Sequence, residues 1–197
     1  SGDTGQYYYQ STIILNSLDD SIGVFFDLLF NFTQTITPEN YIYASKIYWW
    51  NSSEEYTIIQ LNAFISLFTF NSYLANSLLI KLFTLSGIWK IYMVFVSYYP
   101  LLYKRLYLAL FVVPSVFIWS SGIMKDPICL GALGYLISGI HYINSKRKLP
   151  DSWTLILTLL STLFLIKTKF YIFISFVPCV VASLLFDRVY SSFGKSL

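Results

Sequence analysis

Charged residues are scarce in this chain. Only 12% of its 197 residues are charged, about half of the fraction typical of a soluble globular domain, whereas 56% are apolar and 20% are aromatic. A soluble domain of this length cannot bury so many Phe, Tyr, Ile and Leu side chains. The composition therefore argues against an ordinary soluble protein and predicts an integral membrane protein.

Cysteine, histidine and the usual cofactor motifs are also rare or missing. The two cysteines, Cys129 and Cys179, lie in apolar runs, which predicts small buried side chains rather than a disulfide, a metal pair or a nucleophile. His141 adjoins a basic loop and is not predicted to be catalytic. The sequence has no nucleoside-phosphate loop, dinucleotide fingerprint or zinc-protease motif, and no basic groove that indicates a nucleic-acid partner.

The few charges that are present are distributed unevenly. Residues 1–55 contain seven acids and one base, a net charge of −6, whereas residues 56–197 contain twelve bases and three acids, a net charge of +9. The chain thus has a polar, acidic front and an apolar, basic remainder.

The acidic front is predicted to be an ordered segment outside the membrane. Its density of Tyr and Trp is unlike that of a disordered tail and suits the headgroup zone of a bilayer. The run 22–32 is too short to span and contains Asp27, which predicts an amphipathic helix on the membrane. The opening SGDTGQYYYQ lacks an initiator Met and a signal peptide, so we expect a fragment of a longer protein whose anchor precedes it.

Six apolar segments follow, at about 56–70, 73–97, 106–123, 127–144, 149–166 and 170–187. The loops at Lys104–Arg105 and 144–149 are the most basic and are separated by two of these segments. Placing both loops in the cytoplasm satisfies the positive-inside bias. The acidic front then lies outside only if 56–70, which is short and contains Gln60 and Asn62, does not cross.

The fold prediction is therefore an all-α membrane protein, a helical bundle of about five spans. We expect an extracytoplasmic loop with an amphipathic helix at 1–55, an interfacial or re-entrant helix at 56–70 and the transmembrane bundle at 71–197. In this topology the acidic front, the turn at Lys125–Asp126 and the turn at 167–169 meet at the outer face.

Lys125 and Asp126 lie between two apolar runs, where a charge is costly. Asp126 before Pro127 matches a helix N-cap, and Lys125 could extend to lipid headgroups or bind an anion at the helix N-terminus. Lys167 and Lys169 are equally compatible with membrane anchors and with a second phosphate contact. Asp3, just before three tyrosines, is compatible with a helix N-cap and with a catalytic role.

The order of these elements resembles the GT-C superfamily of integral membrane glycosyltransferases, which includes protein O-mannosyltransferases and lipid A aminoarabinose transferases. SGDTGQYYYQS looks like the start of the family's first outer loop, with an acid before an aromatic run. The stretch IIQLNAFISLFTFNSYLANSLLIKLFTLSGIWKIYMVF is similar to the helices after that loop, and PSVFIWSSGIMKDP looks like a later outer turn.

This resemblance implies sugar transfer from a polyprenyl-phosphate-linked donor to a lipid or glycan acceptor, in contact with membrane lipids, in a bacterial inner membrane. Asp3 would be the general base, and Lys125, with Lys167 or Lys169, would bind the lipid phosphate. It specifies no cofactor and leaves a divalent metal open, although no metal ligand is assigned. The alternatives are a polysaccharide polymerase of the O-antigen or exopolysaccharide type and a non-enzymatic transport or assembly subunit.

Overall fold

The computed structural model describes residues 3–113, 122–146 and 152–193, and side chains within 3–113, 122–144 and 152–182. Every regular element in these ranges is helical, so the predicted all-α class is confirmed. The described ranges contain nine α-helices: α1 (Asp3–Asp20), α2 (Ile22–Phe30), α3 (Tyr41–Ala44), α4 (Ser53–Thr69), α5 (Tyr73–Tyr98), α6 (Tyr103–Tyr107), α7 (Lys125–Lys146), α8 (Ser152–Thr168) and α9 (Phe170–Phe193).

The predicted helices at 56–70, 73–97, 127–144, 149–166 and 170–187 correspond to α4, α5, α7, α8 and α9. The predicted segment 106–123 is described only in part. A 3₁₀ turn (Pro100–Leu102) leads into α6, which continues as a π-helical turn (Leu108–Val112). Residues 114–121 of that segment lie outside the described part of the chain.

Helices α1 to α4 form a unit that we call the cap (residues 3–69). Its core consists of buried apolar side chains. Within this core, the hydroxyl of Tyr56 donates a hydrogen bond to the carbonyl oxygen of Leu28 at 2.7 Å. α2 buries one face here and exposes the other, which is also apolar and includes Phe26 and Phe30. The largest fully buried apolar side chains of the cap core are Ile14, Phe25, Leu28, Tyr56, Ile58 and Ile59.

Buried polar side chains connect the cap to α5. Asn62, which is fully buried, donates to the hydroxyl of Ser11 and accepts a hydrogen bond from Asn76 at 3.1 Å. Gln60 donates to the carbonyl of Leu28 at 3.2 Å. Gln60 and Asn62 were expected to mark an interfacial helix, but both amides point into the protein, where they form hydrogen bonds with α1, α2 and α5. Of these amide atoms, the Oε1 of Gln60 is buried without a hydrogen-bond partner.

Helices α5, α7, α8 and α9 form the second unit, the bundle. α5 and α7 run parallel, because Thr84 donates to the carbonyl of Pro127 at 3.0 Å near one end and Ser97 lies 3.4 Å from His141 near the other. The end of α5 and the start of α7 therefore lie at opposite ends of the bundle. After α5, α6 and the turn that follows it run antiparallel to α5, since Tyr107 contacts Tyr92 and the later Phe111 contacts the earlier Trp89.

α8 is antiparallel to α7. Thr158 lies 3.4 Å from the carbonyl of Tyr135, and the later Thr168 lies 3.4 Å from the earlier Cys129. α9 packs on α8 after a turn at Lys169. As a result, the turns before α7 and after α8 lie at the end of the bundle that contacts the cap, whereas the Lys104–Arg105 turn lies at the opposite end.

Glycines let α5 and α7 approach very closely. A Cβ built on Gly87 would overlap the backbone of Gly131, and one built on Gly134 would overlap the backbone of Gly87. The two backbones are in direct contact here, as is common where small residues face one another in membrane bundles. We call this contact the glycine seam.

Among the described helices, α5 alone has both the length and the hydropathy that crossing a membrane requires; α8 and the described part of α9 are apolar but shorter. Cys129 is buried as predicted, whereas Cys179 is exposed on α9, so its predicted burial is wrong. α5, α8 and α9 also expose many large apolar side chains, which include Leu74, Leu78, Leu82, Leu85, Trp89, Met93, Ile156, Leu159, Leu163, Ile166, Ile174, Val177 and Val181.

Candidate functional site

Four chain segments meet where the cap joins the bundle. The start of α1 contacts the turn before α7, where Gly122 has a φ of +100° and a Cβ would lie 3.2 Å from the hydroxyl of Thr4. The start of α4 contacts the start of α7, and the turn after α8 contacts the same helix. The structure thus brings the acidic front and both lysine-containing turns together.

Lys125 makes two ion pairs with the first turn of α4. Its Nζ lies 2.6 Å from Glu55 Oε1 and 3.3 Å from Glu54 Oε2. Carboxylates are favoured in the first turn of a helix, where they interact with free N–H groups and the helix dipole. Both members of the closer pair are only about one-fifth exposed, whereas Glu54 is 52% exposed. The positive charge of Lys125 is therefore already compensated.

The ionisation of Glu55 reflects this contact. Burial opposes the charged carboxylate, but hydrogen bonds from Lys125 and from Ser52 favour it more strongly. The net result is that the pKa of Glu55 lies below its ordinary value. Glu55 is therefore a poor general base and a good electrostatic partner.

The two other predicted phosphate-binding lysines differ from each other. Lys169 donates to Asp126, which lies in the first turn of α7 and does not act as the predicted N-cap. Burial disfavours the charge of Lys169, but Asp126 more than offsets this and raises the pKa of the amine. Lys167 makes no ion pair with any described carboxylate; its Nζ lies over the ring of Phe32, 4.1 Å from the centroid. Lys167 thus remains available for an anion.

Asp3 is the first residue of α1 and shares the environment of Tyr7, one turn later. Burial, more than any other effect, raises the pKa of Tyr7 to about 12. The positive charge of Lys125 lowers the pKa of Tyr7, whereas the negative charges of Glu55, Asp3 and Asp126 raise it further. These charged groups therefore surround one phenol.

An aromatic surface lies beside this charged cluster. Tyr7 stacks on Trp49 with 4.6 Å between ring centroids, and Tyr48 meets the edge of Trp49 at 5.8 Å. Tyr48 is 84% exposed, whereas Tyr7 and Trp50 are buried. Only part of the aromatic front is thus available to a ligand, because the rest forms the core of the cap.

An apolar cavity of about 410 Å³ opens between α4, α5, α7 and α8. It shares Leu61 and Phe164 with a second cavity of about 200 Å³ that reaches Phe32, the ring under Lys167. The first cavity also extends to Ile128, three residues after Lys125. The two cavities are therefore neighbours, and each has a lining residue close to a lysine of the cluster: Ile128 follows Lys125 by three positions, and Phe32 lies under Lys167.

In the described ranges, no three His, Cys, Asp or Glu side chains lie close enough together to bind a metal ion. The arrangement instead offers carboxylates, cations and aromatic rings. Sequence reasoning identified the three lysines but missed their partners. The pair Glu54–Glu55 at the start of a helix was visible, but its contact with Lys125 joins residues 70 positions apart and has no local signature.

Comparison with family models, curated proteins and solved structures found no match to this chain.

Proposed function

We propose that this chain is part of an integral membrane glycosyltransferase of a bacterial inner membrane. It would transfer a sugar from a polyprenyl-phosphate donor to a lipid or glycan acceptor at the outer face. The observation that carries the proposal is the position of the charged cluster. Lys125 and its carboxylate partners lie one helical turn before Ile128, which lines an apolar cavity, and Lys167 lies over Phe32, which lines a second one; charged groups next to apolar cavities suit a lipid-linked sugar.

Two features support membrane embedding. α5, α8 and α9 expose many large apolar side chains, a number that is unusual for the surface of a soluble protein. In the described part of the chain, α5 and α7 run parallel and α8 runs antiparallel to them, an arrangement that supports a bundle with several passes. The cap then lies outside, and Lys104 and Arg105 lie on the cytoplasmic side, as the positive-inside bias requires.

The donor would place its prenyl chain in the apolar cavity and its phosphate near Phe32. Lys167 is the cation best suited to the phosphate, because it has no described carboxylate partner and adjoins the cavity. Lys125 and Lys169 are paired with carboxylates, so a phosphate would have to compete for them. In this proposal, Lys167 rather than Lys125 therefore has the main role in phosphate binding.

In the transfer step, the acceptor hydroxyl oxygen bonds to the anomeric carbon while the bond from that carbon to the phosphate oxygen breaks. The hydroxyl proton passes to Asp3, and the polyprenyl phosphate leaves with the bonding electrons. The lysines stabilise the charge that builds on the leaving phosphate. Exposed Tyr48, next to Trp49, offers a ring surface for a sugar.

The proposal is tested by separating binding from transfer. With the full-length protein in nanodiscs, a fluorescent polyprenyl monophosphate should bind more weakly to Lys167→Ala by about tenfold, the loss expected for one charge-assisted contact. Lys81→Ala is the matched control, since Lys81 is an exposed lysine of α5. Asp3→Asn should bind normally but lose about 10²–10⁴-fold in transfer.

Equal lipid-phosphate binding by Lys167→Ala and the wild type would refute the donor site. Unchanged transfer by Asp3→Asn would remove Asp3 from catalysis and leave Glu54, the most exposed carboxylate that contacts Lys125, as the next base to test. A protein that binds the probe but transfers no sugar from any polyprenyl-phosphate donor would favour a transport or assembly role.

A further inference from the structure

The end of the bundle opposite the cap carries two cations that the proposed glycosyltransferase does not use. Lys104 and Arg105 are exposed in α6. Neither forms an ion pair with a carboxylate in the described part of the chain. Two adjacent, uncompensated positive charges beside an apolar bundle require an anionic partner or water.

Lys104 lines an aromatic cavity, and Arg105 is the next residue in the chain. A space of about 420 Å³ is lined by Tyr92 of α5, by Tyr103, Lys104 and Tyr107 of α6, and by Leu108. The rings support one another, since Tyr107 stacks on Phe111 at 5.2 Å between centroids. The π-helical turn that follows α6 places Phe111 against α5; such turns occur often at functional sites.

We propose that this cavity binds the headgroup phosphate of an anionic phospholipid. Lys104 and Arg105 supply the charge, and the tyrosine hydroxyls supply hydrogen-bond donors. Leu101, which is 95% exposed, and Leu108, which is 54% exposed, lie beside the cations and need apolar contact. A phosphate joined to acyl chains can both pair with the cations and contact the leucines, whereas free phosphate can only pair with the cations.

The inference rests on the proposed membrane embedding but not on the proposed catalysis. Its position also fits, because clusters of Lys and Arg at the cytoplasmic ends of spans attract anionic lipids. Aromatic rings with polar tips are enriched at the same depth. The site would hold the cytoplasmic end of α5 and α6 in a defined position in the membrane.

Native mass spectrometry of the full-length protein, titrated with phosphatidylglycerol or phosphatidylcholine, tests this site directly. We expect saturable binding of at least one phosphatidylglycerol in preference to phosphatidylcholine. The double variant Lys104→Ala/Arg105→Ala should weaken that binding by roughly 10- to 30-fold, at about fivefold for each cation. The charge reversal Lys104→Glu is a second variant and should weaken binding at least as much as removal of that one cation.

Lys46→Ala is the matched control. Lys46 also lies over a tyrosine ring, with its Nζ 5.6 Å from the centroid of Tyr43, close to the 5.8 Å between Lys104 and Tyr103. It belongs to the cap, so its loss should leave lipid binding unchanged. The site would be overturned if Lys46→Ala lost as much phosphatidylglycerol binding as Lys104→Ala/Arg105→Ala, or if the wild type showed no preference for phosphatidylglycerol. Competition by inorganic phosphate as effective as that by the lipid would overturn its assignment to a phospholipid.

Discussion

Replacing Gly87 by alanine tests the glycine seam, the contact that sets the distance between α5 and α7. A Cβ at this position would lie 2.5 Å from the Cα of Gly131, whereas ordinary contact begins at 3.4 Å. Backbone atoms cannot rotate away as a side chain can, so the helices must separate by most of this difference. A gap of 0.5–1 Å forfeits roughly a quarter to a half of the dispersion energy of each facing atom pair.

Two opposing effects decide the outcome. Overpacking a closely packed contact costs about 1–3 kcal/mol, whereas alanine favours a helix interior over glycine by about 1 kcal/mol. We expect a net loss of stability of up to about 2 kcal/mol. At roughly 2–4 °C per kcal/mol for a chain of this length, the Tm should fall by up to about 8 °C.

Tryptophan fluorescence during heating of the purified protein measures this change. Gly23→Ala is the control, because a Cβ at Gly23 would meet only the Ser21 hydroxyl at 3.6 Å; its Tm should stay the same or rise. If Gly87→Ala raises the Tm as a helix-propensity effect alone would, α5 and α7 are not in backbone contact and the described seam is wrong.

Two further predictions concern orientation and pH. In a variant without native cysteines, an impermeant maleimide applied to intact cells should label Tyr48→Cys, at an 84% exposed position in the cap, but should label Leu101→Cys, at a 95% exposed position, only after permeabilisation; labelling of both without permeabilisation would refute the orientation. Because the pKa of Glu55 is lowered in the folded protein, its contribution to stability is present above the ordinary carboxyl pKa and is lost as the pH falls through the lowered value. Glu55→Gln should therefore be less stable than the wild type at neutral pH, by up to about 1 kcal/mol, and the two unfolding curves should converge in acid; a difference that persists unchanged in acid would assign the effect to packing.

The long helices could be predicted from the sequence because each is a continuous apolar run bounded by polar turns. The segments at 73–97 and 170–187 correspond to helices that begin at Tyr73 and Phe170. α2 was also predicted, because Asp27 interrupts an otherwise apolar run. The hydropathy of the sequence is enough to predict these helices, because the signal comes from the residues of each run itself.

The cap could not be derived in the same way. α1 is a mixed polar and aromatic helix, and its buried Ser11 and Gln10 resemble surface residues until partners from α4 and the 47–50 turn are placed beside them. The same holds for Asn62. A buried polar side chain is recognised only from its hydrogen-bond partners, which lie far away in the sequence.

The candidate site was predicted by residue type but not by pairing. Lys125, Lys167 and Lys169 were correctly placed near the acidic front, because the alternation of the helices decides which turns share an end. Which lysine stays free depends on side-chain contacts between helices. The Lys125–Glu55 ion pair and the Lys167–Phe32 contact join residues that are far apart in the sequence, so the sequence does not predict them.

The separation between Glu55 and Lys125 has a consequence for synthesis. Translation at about 5–20 residues per second leaves roughly 4–14 s between the emergence of these two residues. During that interval Ile123 and Ile128, which belong to the same buried cluster as the cap residues, do not yet exist. The nascent cap therefore presents an incomplete core until the ribosome has delivered α7. Maturation of the first 69 residues thus waits for a helix made much later, and chaperones or proteases have their best access to the chain in that period.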